Sequence, residues 1–530
     1  MTATAEHTEQ ARAASPPLSL NPYIGCLGVF LGAATTTLNG KLLSAGLSDL
    51  RGALDYSFDG ASWIPTVLNM SMMFTGVFAA FLGSAYGVRR VLLVSGAIFT
   101  AASIVLPFAP NLGVMLALQA IAVLSSGSFY TLTFTFVARS LPKKLILLGI
   151  AAYALDIVVS SHVAYFIHGW YMDHLSWHWI FWTAGLLMPV TMLCLSVGVP
   201  PAGMPERPNW RGFFYVSGGL SLIYAALDQG QRLDWWRSGT FVGLLAGSLF
   251  LILAALLRHY FRPNPLVNLR FLGARNTLII GSGIFMIRFA LLGSLLVVPS
   301  FLGGVAQYRP LETGRALAWV AAPQFVVVWI AAIVCIFIPP RIVMALGFAT
   351  VATGCWMAGH VDSSWAGASF AVPELVMATG VGMAFVSLVT NIVLNLIETG
   401  GFKSITSTTT YSAFMHSIRL LGGQIGAVTL GRFIAVREQF HSNLLGQYVD
   451  PENWMTAERL RGLAAALTPF SAGAEEAQAR SAALVSSQVR AQAFTLAFSD
   501  AFLLIAWAIA AYLLLLVFLR PSTISLRHVE

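Results

Sequence analysis

Long apolar stretches constrain this 530-residue chain more than any other feature. A helix that crosses a bilayer needs roughly 20 mostly apolar residues, because the hydrocarbon core is about 30 Å thick. Charged residues make up only 10% of the chain, against roughly 25% in soluble domains. We therefore predict an all-α integral membrane protein with fourteen transmembrane helices. The stretches lie near residues 23–47, 61–84, 91–108, 112–137, 145–167, 179–199, 212–228, 240–257, 277–301, 316–337, 341–358, 373–397, 409–433 and 495–519.

The basic residues of the short loops predict the orientation. Most of them fall on one side of the predicted bilayer, in pairs such as Arg89 with Arg90 and Lys143 with Lys144. Cytoplasmic loops carry the excess of Lys and Arg in membrane proteins. The pattern predicts a multi-pass protein of the inner (plasma) membrane with both termini in the cytoplasm. Because these residues form no single basic face, the net charge of +8 does not indicate a nucleic-acid partner.

A long segment, about residues 434–494, separates the last two apolar stretches and is predicted to be periplasmic. Its Ala- and Glu-rich part, residues 464–493, predicts one or two amphipathic helices. Two interpretations remain open for this segment. It forms a helical cap over the outer mouth of the protein, or it is a docking site for a periplasmic adaptor protein.

Cysteine spacing indicates neither a metal site nor a disulfide framework, and we predict no cofactor. The four cysteines lie in or beside apolar stretches, and no Cys-x-x-Cys motif is present. Polar residues inside the apolar stretches are scattered singly, whereas an enzyme embedded in the membrane would need a clustered nucleophile, carboxylate pair or metal set. We therefore predict a protein that is not an enzyme.

Several motifs resemble one family. Leu227-Asp228-Gln229-Gly230, followed by Trp235, is similar to a Leu-Asp-x-Gly-x-x-x-x-Trp segment. Ser417–Gly426 is similar to an Arg-x-x-Gly-Gly-x-x-Gly motif, and three further stretches also fit: 177–181, 264–270 and 492–502. Over nearly the whole chain, the sequence resembles the fourteen-span drug:proton antiporter branch of the major facilitator superfamily, the EmrB/QacA-like proteins.

The resemblance implies a major facilitator fold and a transport function. Two six-helix bundles, residues 23–200 and 263–519, would flank an inserted helix pair at 201–262, with cytoplasmic tails at 1–22 and 520–530. Substrate would bind near the midplane between bundles that rock around it. The implied function is secondary active export of small amphipathic or drug-like molecules, as in multidrug efflux, with protons as coupling ion. A uniporter or importer of an organic anion and a non-transporting membrane receptor are the alternatives.

The chain departs from the family pattern where coupling residues are expected. In the first span an acidic residue is replaced by Asn39, and Lys41 follows two residues later. In the loop after the second span Gly87, Arg89 and Arg90 are retained while the acidic residue is Ser84. The antiporter motif of the fifth span retains its last glycine, Gly169.

Ionisable residues within the apolar stretches are the candidate substrate and coupling residues, because a charge at mid-membrane requires a partner, a water-filled cavity or a function. Lys41 either snorkels to the outer interface or faces a cavity. Asp156 either exchanges protons or pairs with a polar group. His162 is a packing histidine or part of a polar relay, and Arg288 lines the cavity or forms a structural contact.

Lys41 and Arg288 lie on corresponding helices of the two implied bundles, which leads to the hypothesis of a cavity that favours anionic or amphipathic substrates. Near the start of the thirteenth span, Arg419, Gly422 and Gly423 are predicted to have a structural role. The two glycines would allow close helix packing, and the arginine would cap backbone carbonyls.

Overall fold

In the part of the chain that the structure describes, fourteen long helices occupy the positions of the fourteen predicted spans. The computed structural model describes residues 22–140, 146–199, 210–261, 273–399, 405–450 and 452–522. The helices are α1 (Pro22–Ala45), α2 (Trp63–Tyr86), α3 (Val88–Val105), α4 (Leu112–Ser126 and Ser128–Ser140), α5 (Ile146–His174), α6 (Trp179–Gly198), α7 (Trp210–Gly230), α8 (Gly239–Phe261), α9 (Arg275–Ala290, continued by a π-helical turn and Val298–Gly304), α10 (Pro310–Phe337), α11 (Pro340–Ala358), α12 (Ala371–Glu398), α13 (Ile405–Gly446) and α14 (Ala474–Leu516).

Eleven helical segments of the described chain are long and apolar enough to cross a membrane. The other three predicted spans are occupied by α1, α7 and α13, each of which carries polar residues, among them Lys41, Tyr224 and Arg419. The prediction of an all-α, multi-pass membrane protein is confirmed.

Among the described residues, the two large hydrophobic cores correspond to two helix bundles. The first is built from α1 to α6 and contains Leu68, Phe99 and Phe181. The second is built mainly from α9 to α14 and contains Phe348 and Phe502. Within the second bundle α11 and α12 pack almost backbone to backbone. A Cβ atom added at Gly347 would lie 2.4 Å from the backbone nitrogen of Ala384. Small residues at such contacts allow dispersion to hold membrane helices together.

The bundles meet along two seams, α5 against α10 and α2 with α4 against α13. On the first seam a Cβ atom added at Gly169 would lie 2.4 Å from the nitrogen of Leu311, and one added at Gly314 would lie 2.3 Å from the nitrogen of Phe166. On the second seam Ser412 Oγ donates to the Thr131 carbonyl at 2.9 Å. The contacts of Gly169 and Gly314 lie towards the predicted periplasmic ends of α5 and α10, so this side of the seam is closed.

The inserted helix pair packs on one face of the two-bundle structure. Helix α7 contacts α2 of the first bundle and α13 of the second. Helix α8 lies on the outer side of α7. Its Ser248 Oγ donates a hydrogen bond to the Gly219 carbonyl of α7 at 2.8 Å. Large apolar side chains of α8, including Leu249 and Phe250, are exposed, as expected for a surface that faces lipid.

The segment at 434–494 is mostly a continuation of two membrane helices. Helices α13 and α14 have 42 and 43 residues, which corresponds to about 60 Å each, twice the thickness of the hydrocarbon core. A separate amphipathic helix, Trp454–Leu467, lies between them. Asp500 of α14 binds both Arg437 and His441 of α13, at 2.6 and 2.7 Å. The segment therefore forms a projection, which we call the α13–α14 hairpin, in which two extended membrane helices carry one separate helix between them.

Some predictions fall on residues outside the described part of the chain. The limits between bundles and inserted pair, at residues 200 and 262, lie there, as does most of both predicted tails. The motif at 264–270 also lies outside the described residues.

Candidate functional site

A cavity of about 200 Å³ lies between the two bundles, beside a smaller one of about 50 Å³. Both bundles and the inserted pair contribute to the larger cavity, which is lined by residues of α1, α2, α4, α5, α7, α9 and α13. Tyr130, Arg288 and Arg419 line both cavities. The position between two bundles is the one where a rocking transporter binds its substrate.

Three basic side chains converge on the larger cavity: Lys41 of α1, Arg288 of α9 and Arg419 of α13. Neither cavity has an Asp or Glu among its lining residues within the described chain. The rest of the wall of the larger cavity combines leucines, such as Leu68 and Leu292, with polar side chains such as Asn69. An enclosed site with one sign of charge and walls of low dielectric concentrates ligands of the opposite sign. The arrangement is suited to a negatively charged group attached to an apolar body.

Aromatic and small residues hold two of these cations in place. The guanidinium of Arg419 lies 4.4 Å from the centre of the Tyr130 ring, and the Tyr130 hydroxyl is hydrogen-bonded to Thr37 Oγ1 at 2.8 Å. A Cβ atom added at Gly423 would lie 3.5 Å from Arg288 Nε, and one added at Gly422 would lie 3.0 Å from the Phe285 ring. These glycines let α13 pack closely on α9.

Arg419 lies in a different environment from the one that the sequence suggested. Its guanidinium faces Tyr130 and the cavity, 3.3 Å from His416 Nδ1, instead of capping a helix end. The Nε atoms of Arg288 and Arg419 are buried, and no hydrogen-bond partner is found for them in the described residues. Both guanidinium groups therefore keep a donor for a ligand.

The remaining polar candidates do not line either cavity. His162 Nε2 is hydrogen-bonded to Ser294 Oγ at 2.7 Å, so it joins α5 to α9 across the bundle interface. Asp156 Oδ1 accepts from Ser160 at 3.2 Å, and Asn39 is buried. The buried Asp156 Oδ2 and Asn39 Oδ1 atoms have no hydrogen-bond partner among the described residues. The structure thus brings together Lys41, Arg288 and Arg419, and places Asn39, Asp156 and His162 outside this group.

The candidate gating residues after α2 form a tight connection to α3. Gly87 has a φ of 84° and a ψ of 146°, a conformation that residues with a Cβ atom avoid. Arg89 donates to the Ser196 carbonyl of α6 at 2.5 Å, whereas Arg90 is exposed. The connection is therefore anchored to α6 by one of its two arginines.

Sequence reasoning did not select several residues of this region. Tyr224 of α7 and Gln424 of α13 line the larger cavity, and Gln424 donates to Asp228 at 2.8 Å. Asp228 and Gln424 both lie within the motifs quoted above, but they are far apart in sequence, so only the tertiary structure brings them together. Glu374 of α12 is fully buried, and neither of its carboxylate oxygens has a hydrogen-bond partner within the described chain.

The Major Facilitator Superfamily profile matches residues 29–427. The multidrug export protein EmrB of Haemophilus influenzae is 22% identical over 500 residues, which cover 93% of this chain and 95% of that protein. The fatty acid resistance protein FarB of Neisseria gonorrhoeae is 22% identical over 80% of this chain and 82% of its own length. The fold matches the proton:xylose symporter XylE of E. coli, with a TM-score of 0.54, 10% identity and coverage of 94% and 96%.

These matches confirm the resemblance to EmrB/QacA-like proteins and the predicted fold of two six-helix bundles with an inserted helix pair. The family profile covers most of the chain, and EmrB of Haemophilus influenzae aligns along 93% of it. The chain belongs to the Major Facilitator Superfamily and is a multi-pass secondary transporter, not an enzyme.

Proposed function

We propose that this transporter exports amphipathic organic anions by alternating access, in exchange for protons. The observation that carries the proposal is the convergence of Lys41, Arg288 and Arg419 on one cavity whose wall includes several leucines. A carboxylate or sulfonate would accept hydrogen bonds from the guanidinium groups, and an acyl or aryl body would replace water at the leucines. Relatives named for multidrug export and for fatty acid resistance support export of such molecules.

Export would be driven from the cytoplasmic side of the inner membrane, with both termini in the cytoplasm. The excess of basic residues in the loops on that side supports this orientation. Labelling of a cysteine introduced at Trp454 tests it. A membrane-impermeant maleimide should label that cysteine in intact cells, and labelling only after lysis would reverse the proposed topology.

The test of substrate class is the substitution Arg288→Ala, with the exposed Arg237→Ala as matched control. Everted vesicles would be loaded by transport of laurate, an amphipathic anion, or of ethidium, a cation. Loss of a hydrogen bond to a charged group costs about 1.5–3 kcal/mol, so laurate transport by Arg288→Ala should fall about 10- to 150-fold at equal protein level. Unchanged laurate transport in this variant would contradict the anion site.

The same vesicles test the transport mode. Collapse of the pH gradient should abolish accumulation of laurate if protons are the coupling ion. Uptake that stops once laurate has equilibrated across the membrane, with or without a pH gradient, would instead identify a uniporter, and binding of laurate without counterflow would identify a receptor.

We further propose that the α13–α14 hairpin docks a periplasmic adaptor protein. Its tip exposes large apolar side chains, Tyr448, Trp454, Met455 and Phe470, which is unusual for a surface in water. Replacement of residues 452–472 by a Gly-Ser linker should abolish resistance of cells to laurate while leaving laurate transport in everted vesicles intact. Full resistance in the shortened variant would exclude an adaptor that binds at this tip.

A further inference from the structure

Asp228, at the end of the inserted helix α7, is bonded to both bundles. Its Oδ2 accepts a hydrogen bond from the Thr66 hydroxyl of α2, and its Oδ1 accepts one from the Gln424 amide of α13 at 2.8 Å. Helix α2 belongs to the first bundle and α13 to the second, so one carboxylate joins two elements that must separate when the bundles rock. We call these three residues the Asp228 bridge.

The bridge continues to the cavity on one side. Gln424 Oε1 accepts from the Tyr224 hydroxyl at 2.8 Å, and both of these residues line the larger cavity. A substrate that binds Gln424 or Tyr224 therefore competes with the bridge for the same hydrogen bonds. Among the described residues, Asp228 is the only carboxylate that is hydrogen-bonded to a side chain of the cavity wall, that of Gln424.

On the other side the bridge reaches the protein surface. Gln229 donates to Thr66 Oγ1 at 2.5 Å and to the Ser62 carbonyl at 3.0 Å. Arg232 Nε donates to Gln229 Oε1 at 2.6 Å, and Arg232 forms an exposed ion pair with Asp59 at 2.9 Å. Polar groups thus connect the cavity wall to water at the predicted periplasmic end of α7.

The surroundings leave the charge of Asp228 without a direct ion pair in the described chain. Helix α2 presents Thr66, and α13 presents Gln424, neither of which titrates. Tyr224 lies one turn away on α7, and Arg232 contacts Gln229 rather than Asp228. The cavity cations Arg288, Arg419 and Lys41 lie beyond Tyr224 and Gln424, and the basic residues of α8 lie at its opposite end, at 258 and 259.

We propose that Asp228 is the proton-binding carboxylate that couples transport to the pH gradient in this protein, an inference that rests on the proton exchange proposed above. The ionised carboxylate accepts the two hydrogen bonds of the bridge and holds α2 and α13 together through α7. One proton that enters from the periplasmic side binds Oδ1, turns it into a donor, and leaves the Gln424 amide without its acceptor. The same proton leaves to the cytoplasm when the bridge forms again, so no bond other than O–H is made or broken.

This assignment gives the inserted helix pair a role in coupling. The first span carries Asn39, an amide that cannot exchange a proton, and Asp156 lies outside the cavity wall. Asp228 instead contacts the seam between the bundles, where proton binding and bundle movement act on the same hydrogen bonds. Two processes that share one two-state element are coupled by necessity.

The experiment compares Asp228→Asn with Asp234→Asn, a carboxylate of the same stretch that is exposed and paired with Arg237. Purified full-length protein in liposomes is assayed for accumulation of laurate driven by a pH gradient and for laurate counterflow without a gradient. In Asp228→Asn, accumulation should fall about 5- to 150-fold while counterflow stays within about threefold of the unsubstituted protein. Asp234→Asn should behave as the unsubstituted protein in both assays.

Each outcome has a defined meaning. Gradient-driven accumulation by Asp228→Asn equal to that of Asp234→Asn overturns the assignment, and so does parallel loss of accumulation and counterflow. If the unsubstituted protein itself ignores the gradient, the proposed proton exchange fails instead. Should Asp228→Asn not reach the membrane, Thr66→Val keeps the carboxylate and removes one donor to its ionised form. The pH at which gradient-driven accumulation is half-maximal should then rise by about one unit, and an unchanged profile overturns the assignment.

Discussion

The contact between α5 and α10 makes a quantitative prediction about the closed state of the transporter. A Cβ atom at position 169 would lie 2.4 Å from the nitrogen and 2.5 Å from the Cα atom of Leu311, both backbone atoms that cannot rotate away. Carbon atoms in ordinary contact lie about 3.5–4.0 Å apart, so Gly169→Ala must push the two helices apart by about 1 Å. Such overpacking costs about 1–3 kcal/mol in a well-packed interface.

Because this contact holds the predicted periplasmic side closed, the cost should fall on the closed state alone. At about 1.4 kcal/mol for each tenfold change, the equilibrium should shift about 5- to 150-fold towards opening on that side. The matched control is Gly431→Ala in α13. It makes the same chemical change within a helix, but its added Cβ atom would meet no atom within 4 Å.

The assay measures access to Ser161, which is buried and lines the larger cavity on α5. Ser161→Cys is introduced after replacement of the four native cysteines, and a membrane-impermeant maleimide is added to intact cells. The labelling rate should rise in Gly169→Ala and stay unchanged in Gly431→Ala. Equal labelling rates in the two variants, at equal protein level, would refute the inference that this glycine contact closes the cavity.

Two further predictions concern stability. Gly87→Ala forces a residue with a Cβ atom into a backbone conformation of φ 84° and ψ 146°. The strain should cost about 1–3 kcal/mol and lower the melting temperature of the protein in detergent. A melting temperature equal to that of Gly431→Ala would contradict this prediction. Asp500→Ala removes the acceptor that Arg437 and His441 share. Trypsin should therefore cut the α13–α14 hairpin faster, while the rate of cleavage elsewhere in the protein stays unchanged. Protection of the hairpin equal to that in the unsubstituted protein would show that these ion pairs do not hold it.

The fold followed from local properties of the sequence. The length and apolarity of the stretches were sufficient to predict fourteen helices, because a backbone in lipid must satisfy its hydrogen bonds within each segment. The tight junction at Pro339-Pro340 correctly separates α10 from α11, since proline cannot continue the first helix but can begin the second. The length of α13 and α14 was underestimated, because polar helices that project into water lack the apolar signal used to set the limits.

The composition of the cavity depended on tertiary structure. Sequence reasoning selected Lys41 and Arg288 because an isolated charge within an apolar stretch demands an explanation, and these two residues do line the cavity. The same reasoning could not separate them from Asn39, Asp156 and His162, since the face that a residue presents is decided by how the helices pack. Nor could it connect Asp228 with Gln424. A bond between two segments so distant in the chain exists only after the inserted helix has packed against both bundles.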